Sequence, residues 1–126
     1  GVFGTELGMA FQIVDDILGI WGGEGVTGKP SGFDILRRKK TLPLVYGLER
    51  EERLREIYRK GDLEAADLNC VNEILSEIDA RRFSQELAER YYRRAIAALE
   101  GAEVFPQVRE DLKTLATSLI SPILSC

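Results

Sequence analysis

Two neighbouring aspartates, Asp15 and Asp16, stand in a stretch of chain that is otherwise mostly apolar. With Gly8, Gln12 and Gly19 they fall at i, i+4, i+7, i+8 and i+11, a spacing that gathers all five on one face of a helix. Phe11, Val14, Ile17, Leu18 and Trp21 cover most of the remaining girth. Two carboxylates held side by side repel each other and resist ionising together unless a cation offsets the repulsion. Magnesium suits that task, because it binds one or two carboxylates and fills the rest of its octahedron with waters and phosphate oxygens. On this helix alone, an exposed polar face explains the pair equally well.

The next residues favour the metal. Gly22, Gly23, Gly25, Gly28 and Gly32, with Pro30 among them, break any regular element and predict a loop able to move. Lys29, Asp34 and the run Arg37, Arg38, Lys39, Lys40 follow. A site for a magnesium-bound diphosphate needs carboxylates for the metal and cations for the phosphate charge left over. It also needs a loop that closes to exclude water. All three lie between residues 12 and 40. Gly23 to Lys29 imitates a phosphate-binding P-loop, but Pro30 stands where Ser or Thr would hold magnesium, and a helix rather than a strand precedes it. Four basic residues on a chain of net charge −4 do not make a nucleic-acid face.

The elements that must position these groups all read as helices. The first is expected over residues 4–21, stopped by Gly22 and Gly23, and the second over 34–49, with Asp34 as N-cap and Pro43 marking a kink or a fresh start after Thr41. A charged helix over 50–60 ends at Gly61. Asp62 is expected to cap the next, whose stripe is Leu63, Ala66, Cys70, Val71, Ile74 and Ile78, with a break near Asp79. A stripe of Phe83, Leu87, Ala88, Tyr91, Ala95 and Leu99 follows, and the last helix carries Val108, Leu112, Leu115, Leu119 and Ile123. No stretch alternates with period two, so the fold is expected to be all-α.

Composition excludes several chemistries. The 126 residues, 44% hydrophobic and 30% charged, suit one globular domain. Without a single histidine there is no Ser-His-Asp triad, no His general base and no ordinary zinc site. Cys70 and Cys126 have no metal-ligand spacing and read as small apolar residues of a reducing compartment. The apolar N-terminal stretch lacks the charged start and cleavage site of a signal peptide. As a membrane span it would bury Asp15 and Asp16 at about 2.5–3.5 kcal/mol each, so stable membrane insertion is not expected. The chain opens with Gly rather than Met, which reads as a piece of something longer.

Gly8-Met9-Ala10-Phe11-Gln12-Ile13-Val14-Asp15-Asp16-Ile17-Leu18 resembles the second aspartate-rich motif of polyprenyl (isoprenyl) diphosphate synthases, in the style of geranylgeranyl diphosphate synthases. Thr27-Gly28-Lys29-Pro30, then Asp34, then Lys39 to Pro43, resembles the downstream signature of that family in the same order. The resemblance implies the C-terminal helices of the isoprenoid synthase bundle. Residues 1–48 would carry the motif, the Gly-rich loop and the lysine segment, and residues 49–126 the closing helices of a single all-α segment. It implies head-to-tail prenyl transfer, in which an allylic diphosphate held by magnesium loses its diphosphate and isopentenyl diphosphate attacks. Asp15 would ligate Mg2+ with Asp16 supporting it, and Asp34 would reach the metal through water. Gln12, Lys29 and Lys39 would lie against the diphosphate. A cytoplasmic homodimer is implied as well.

Two departures stand beside the match. Gly19 occupies the place of the third aspartate, and nothing here resembles the first aspartate-rich motif. The 126 residues alone are therefore expected to be inactive or nearly so. The alternative is a non-catalytic binding or regulatory partner of the same fold.

Overall fold

The structure, a computed structural model, describes residues 1–22 and 32–124. Among them are seven helices and no strand; the all-α class is as the periodicity predicts, with one helix more than the six segments expected. The helices are α1 (Val2–Trp21), α2 (Phe33–Leu36), α3 (Leu42–Arg50), α4 (Glu52–Arg59), α5 (Ala65–Glu77), α6 (Ala80–Glu100) and α7 (Pro106–Leu124). None is long and apolar enough to cross a membrane. The chain divides into two compact units, one of residues 16–84 and one of residues 1–15 with those from 85 onward.

The unit of residues 16–84 is built on Ile20, Ile35, Leu44, Leu54, Val71, Ile74, Leu75 and Ala80. Its helices start and stop for local reasons. The expected segment 34–49 is two pieces, because α2 ends at Leu36 and Arg38 turns the chain through a left-handed backbone conformation (φ 60°). Asp34 lies inside the first turn of α2 and is not its N-cap. Pro43, which lacks the N–H that a helix interior needs, sits in the opening turn of α3, after Thr41 as expected. Helix α4 ends at Arg59, with Lys60 as its C-cap and Gly61 at φ 99°. The Arg38 guanidinium donates to Tyr58 O and Gly61 O, each at 2.6 Å, and so serves carbonyls that the end of α4 leaves open.

Glu64, and not Asp62, caps α5. Its side chain accepts from the third helical N–H, and the Asp67 carboxylate accepts from the Glu64 N–H at 3.0 Å. The Lys60 ammonium and that backbone N–H hold the Asp67 carboxyl below the usual range. The inward face of α5 is Val71, Ile74 and Leu75, whereas Ala66 and Cys70 are exposed. The break at Asp79 is present, with φ 54°.

The other unit packs Leu7, Ala95 and Ala116 together, flanked by Phe3, Tyr92, Ile96 and Leu119. Helix α7 buries Ala116, Ile120 and Ile123, and it exposes Val108 and Leu115. Its core face is thus rotated from the expected stripe. Alanine facing alanine lets two helices approach closely, and the larger side chains fall to the flanks. Pro122 lies inside α7 and cannot donate to Ser118 O; the Ser121 hydroxyl does so instead, at 3.2 Å.

Burial pushes the Tyr58 phenol up to about 12, against a smaller downward pull from Arg38, and its hydroxyl has no partner among the described residues. A phenol held neutral in the fold stabilises it below the unfolded value near 10, and that contribution is lost as pH rises from there towards 12. Tyr58→Phe is expected to leave neutral-pH stability unchanged or slightly higher. It should also reduce the alkaline loss, as urea midpoints at pH 7 and pH 11 would show. An equal alkaline loss in both proteins would assign the effect elsewhere.

Candidate functional site

Helix α1 carries Gln12, Asp15, Asp16 and Gly19 on one continuous run of 20 residues, ended by the Gly22 N–H donating to Leu18 O at 2.8 Å. Gln12 and Asp15 are exposed. Asp16 is 7% exposed, and its Oδ2 accepts the Leu42 N–H at 3.0 Å. That N–H is the first of α3, one of the donors that a helix start leaves without an internal partner. Thr41 precedes it in the capping position, but its buried hydroxyl makes no cap bond. Asp16 therefore caps α3 from another helix, and its negative charge lies where the helix dipole favours one.

The chain re-enters the described residues at Gly32, whose N–H donates to Ile20 O at 3.0 Å, pinning the start of α2 to the end of α1. Gly32 has φ 80°, and a Cβ there would meet Leu68 Cδ1 at 2.6 Å, so no other residue fits without strain. The turn places Asp34, 5% exposed, against the α1 backbone at Gly19. A Cβ added at Gly19 would lie 2.5 Å from Asp34 Cγ and closer still to Oδ2. The Lys39 N–H donates to Asp34 O at 3.0 Å, and Lys39 Nζ stands 3.8 Å from Asp34 Oδ2 while its side chain remains 46% exposed. One carboxylate and one ammonium are thus brought together at the helix that bears the acidic pair. Gly19 follows Asp16 by three residues, so the Asp34 carboxylate occupies the α1 surface about one turn from Asp16.

Of the remaining basic run, Arg37 and Lys40 are exposed, and Arg38 is committed to the end of α4. Lys29 and most of the Gly-rich stretch lie outside the described residues, as does Cys126. Among the described residues no three acidic, Cys or His side chains gather into a metal cage of their own. Asp15, Asp16 and Asp34 suit only an ion that takes few carboxylates and keeps waters and phosphate oxygens for the rest of its shell. Sequence reasoning missed the capping role of Asp16 and the approach of Asp34 to Gly19. Pro43 at the second position of α3 signals where that helix starts, but not which side chain serves it.

The pattern described as polyprenyl synthetase matches residues 1–76. Geranylgeranyl diphosphate synthase of Mycobacterium tuberculosis is 40% identical over 111 residues, which are 84% of this chain and 32% of that protein. Heptaprenyl diphosphate synthase component 2 of Geobacillus stearothermophilus is 38% identical over 100 residues, 79% of this chain and 31% of that protein. Among solved structures, geranylgeranyl pyrophosphate synthase from Corynebacterium glutamicum, complexed with isoprenyl diphosphate and magnesium, superposes with a TM-score of 0.84 at 26% identity. That match covers 96% of this chain and 36% of that one. The chain thus spans about a third of the length of these relatives. With its acidic helix, its lysine-bearing turn and 76 matched residues in agreement, the chain belongs to the polyprenyl synthetase family.

Proposed function

We propose that this chain is the C-terminal part of a trans-prenyltransferase that condenses an allylic diphosphate with isopentenyl diphosphate in isoprenoid biosynthesis. The observation that carries the reading is the meeting of Asp34 and Lys39 on the α1 surface next to Asp16. Bound magnesium would draw off the charge that develops on the departing diphosphate. Asp15, exposed on α1, is the carboxylate proposed to ligate the ion. Asp16 supports it while fixed to the start of α3. Gln12, one turn earlier by helical spacing, lies beside the diphosphate. Lys39 extends into solvent from its Asp34 contact and, with Lys29, supplies cations for phosphate oxygens. Fixed charges of this kind act most strongly where water is excluded. The whole protein is proposed to work as a cytoplasmic homodimer. The alternative, a non-catalytic partner of the same fold, drew part of its support from glycine at position 19. The charged pair of Asp34 and Lys39, kept together at that turn, speaks against the alternative.

Titration of an isoprenyl diphosphate into the chain, with and without magnesium, tests the proposal. Binding is expected only with magnesium, and Asp15→Ala is expected to weaken it by at least about tenfold without changing the melting temperature. Binding indifferent to both metal and mutation would leave a helical fragment with no such site.

A further inference from the structure

Helix α2 closes on an arginine at a position whose backbone favours glycine. The Arg38 N–H donates to Ile35 O and the Lys39 N–H to Asp34 O, both at 3.0 Å, with Arg38 at φ 60°. These two bonds are the Schellman closure of a helix, and its left-handed residue is usually glycine because a Cβ there crowds the following carbonyl. Helix α4 obeys that preference with Gly61. Among the described residues the other non-glycine at positive φ is Asp79, whose short polar side chain tolerates that region better than arginine does.

The Arg38 side chain shows what offsets the strain. It donates through Nη1 to Gly61 O and through Nη2 to Tyr58 O at 2.6 Å each, and its guanidinium carbon stands 5.0 Å from the centre of the Tyr58 ring. One arginine therefore closes two helices, α2 through its backbone and α4 through its side chain. Glycine would serve the first better and the second not at all. The residue anchored in this way directly precedes Lys39, whose Nζ stands 3.8 Å from Asp34 Oδ2. On the other side of Lys39, the Leu42 N–H is fixed to Asp16. The lysine turn is thus pinned to α4 at one end and to α1 at the other.

We propose that Arg38 is a positioning residue for the diphosphate site. By tying the lysine turn to the end of α4, it sets where Lys39 and Asp34 present their charges. It acts through these neighbours, since its own guanidinium is engaged by carbonyls. The tether stands on the geometry alone, whereas its consequence for a ligand rests on the function proposed above.

Two substitutions separate backbone, charge and tether. Arg38→Gly favours the left-handed turn and removes the side chain. Arg38→Lys keeps the charge but replaces the planar fork with a single ammonium. In amide relaxation measured by NMR, the Lys39 N–H is expected to have an order parameter of about 0.85 in the native chain and below about 0.6 in Arg38→Gly. The Leu75 N–H is expected to stay rigid in both. An unchanged Lys39 in Arg38→Gly would show that the backbone closure alone sets the turn, and would overturn the proposal. Loosening that spreads to Leu75, or failure to fold, would overturn it as well, because the arginine would then be holding the whole unit.

Calorimetric titration with magnesium and inorganic pyrophosphate gives a second readout. Both variants are expected to bind at least about tenfold more weakly than the native chain, a loss of about 1.4 kcal/mol. Native-like binding by Arg38→Lys would mean that only the charge matters, and native-like binding by Arg38→Gly that the tether does not; either would overturn the proposal. Should the native chain itself bind no magnesium pyrophosphate, the functional reading fails, while the relaxation data still decide the tether.

Discussion

Asp16→Ala is expected to destabilise the chain by about 2–3 kcal/mol, and Asp16→Asn by only about 1 kcal/mol. The difference follows from what Oδ2 does. Alanine removes the acceptor of the Leu42 N–H at the start of α3, and Thr41, whose hydroxyl makes no cap bond, is not in place to replace it. A partly buried donor then loses its partner, and a site only 7% exposed gains a void. Asparagine keeps an oxygen at nearly the same place and loses only the charge that favours the helix N-terminus. Urea unfolding with an unchanged slope would measure both. If the two substitutions cost the same, or neither costs more than about 0.5 kcal/mol, Asp16 does not hold α1 to α3. The comparison also matters for function. Loss of diphosphate binding in Asp16→Ala alone mixes a displaced α3 with a missing carboxylate, whereas Asp16→Asn separates them.

The parts of this protein legible in its sequence were those written by local chemistry. Glycines at 22 and 61 and the break at Asp79 end helices because backbone preferences act within a few residues. The acidic and basic groups could be read in order along the chain. Capping was less legible, because a cap answers whichever donors the tertiary fold leaves open. Asp34 and Asp62 are good capping residues in sequence, yet Glu64 caps α5, and α3 is served from 26 residues away. Arg38 illustrates the same limit. It stands in a basic run that suggests phosphate, but its guanidinium is occupied by Tyr58 O and Gly61 O. At Gly19 the sequence shows that a side chain is absent, and not that Asp34 packs against the backbone left bare.

Leu75→Ala and Leu115→Ala carry that distinction into the core. Leu75→Ala is expected to cost about 3–4 kcal/mol, and Leu115→Ala less than about 0.5 kcal/mol, in chemical unfolding of the chain. By spacing alone the reverse would be expected, since Leu115 sits in the middle of the apolar series of α7 and Leu75 lies off the series assigned to α5. Yet Leu75 is 0% exposed, packed among Leu54, Val71 and Ile74, and its Cδ2 would stand 3.0 Å from a Cβ at Gly47. Alanine there would open a cavity directly against the α3 backbone at Gly47. Leu115 is 49% exposed, because α7 turns Ala116 and Ile120 inward. A face led by alanine gains stability from close approach of backbones rather than from side-chain volume, so trimming the large residue beside it removes little buried surface. Equal losses at the two positions would mean that α7 packs on its larger residues and that the rotation of its core face is wrong.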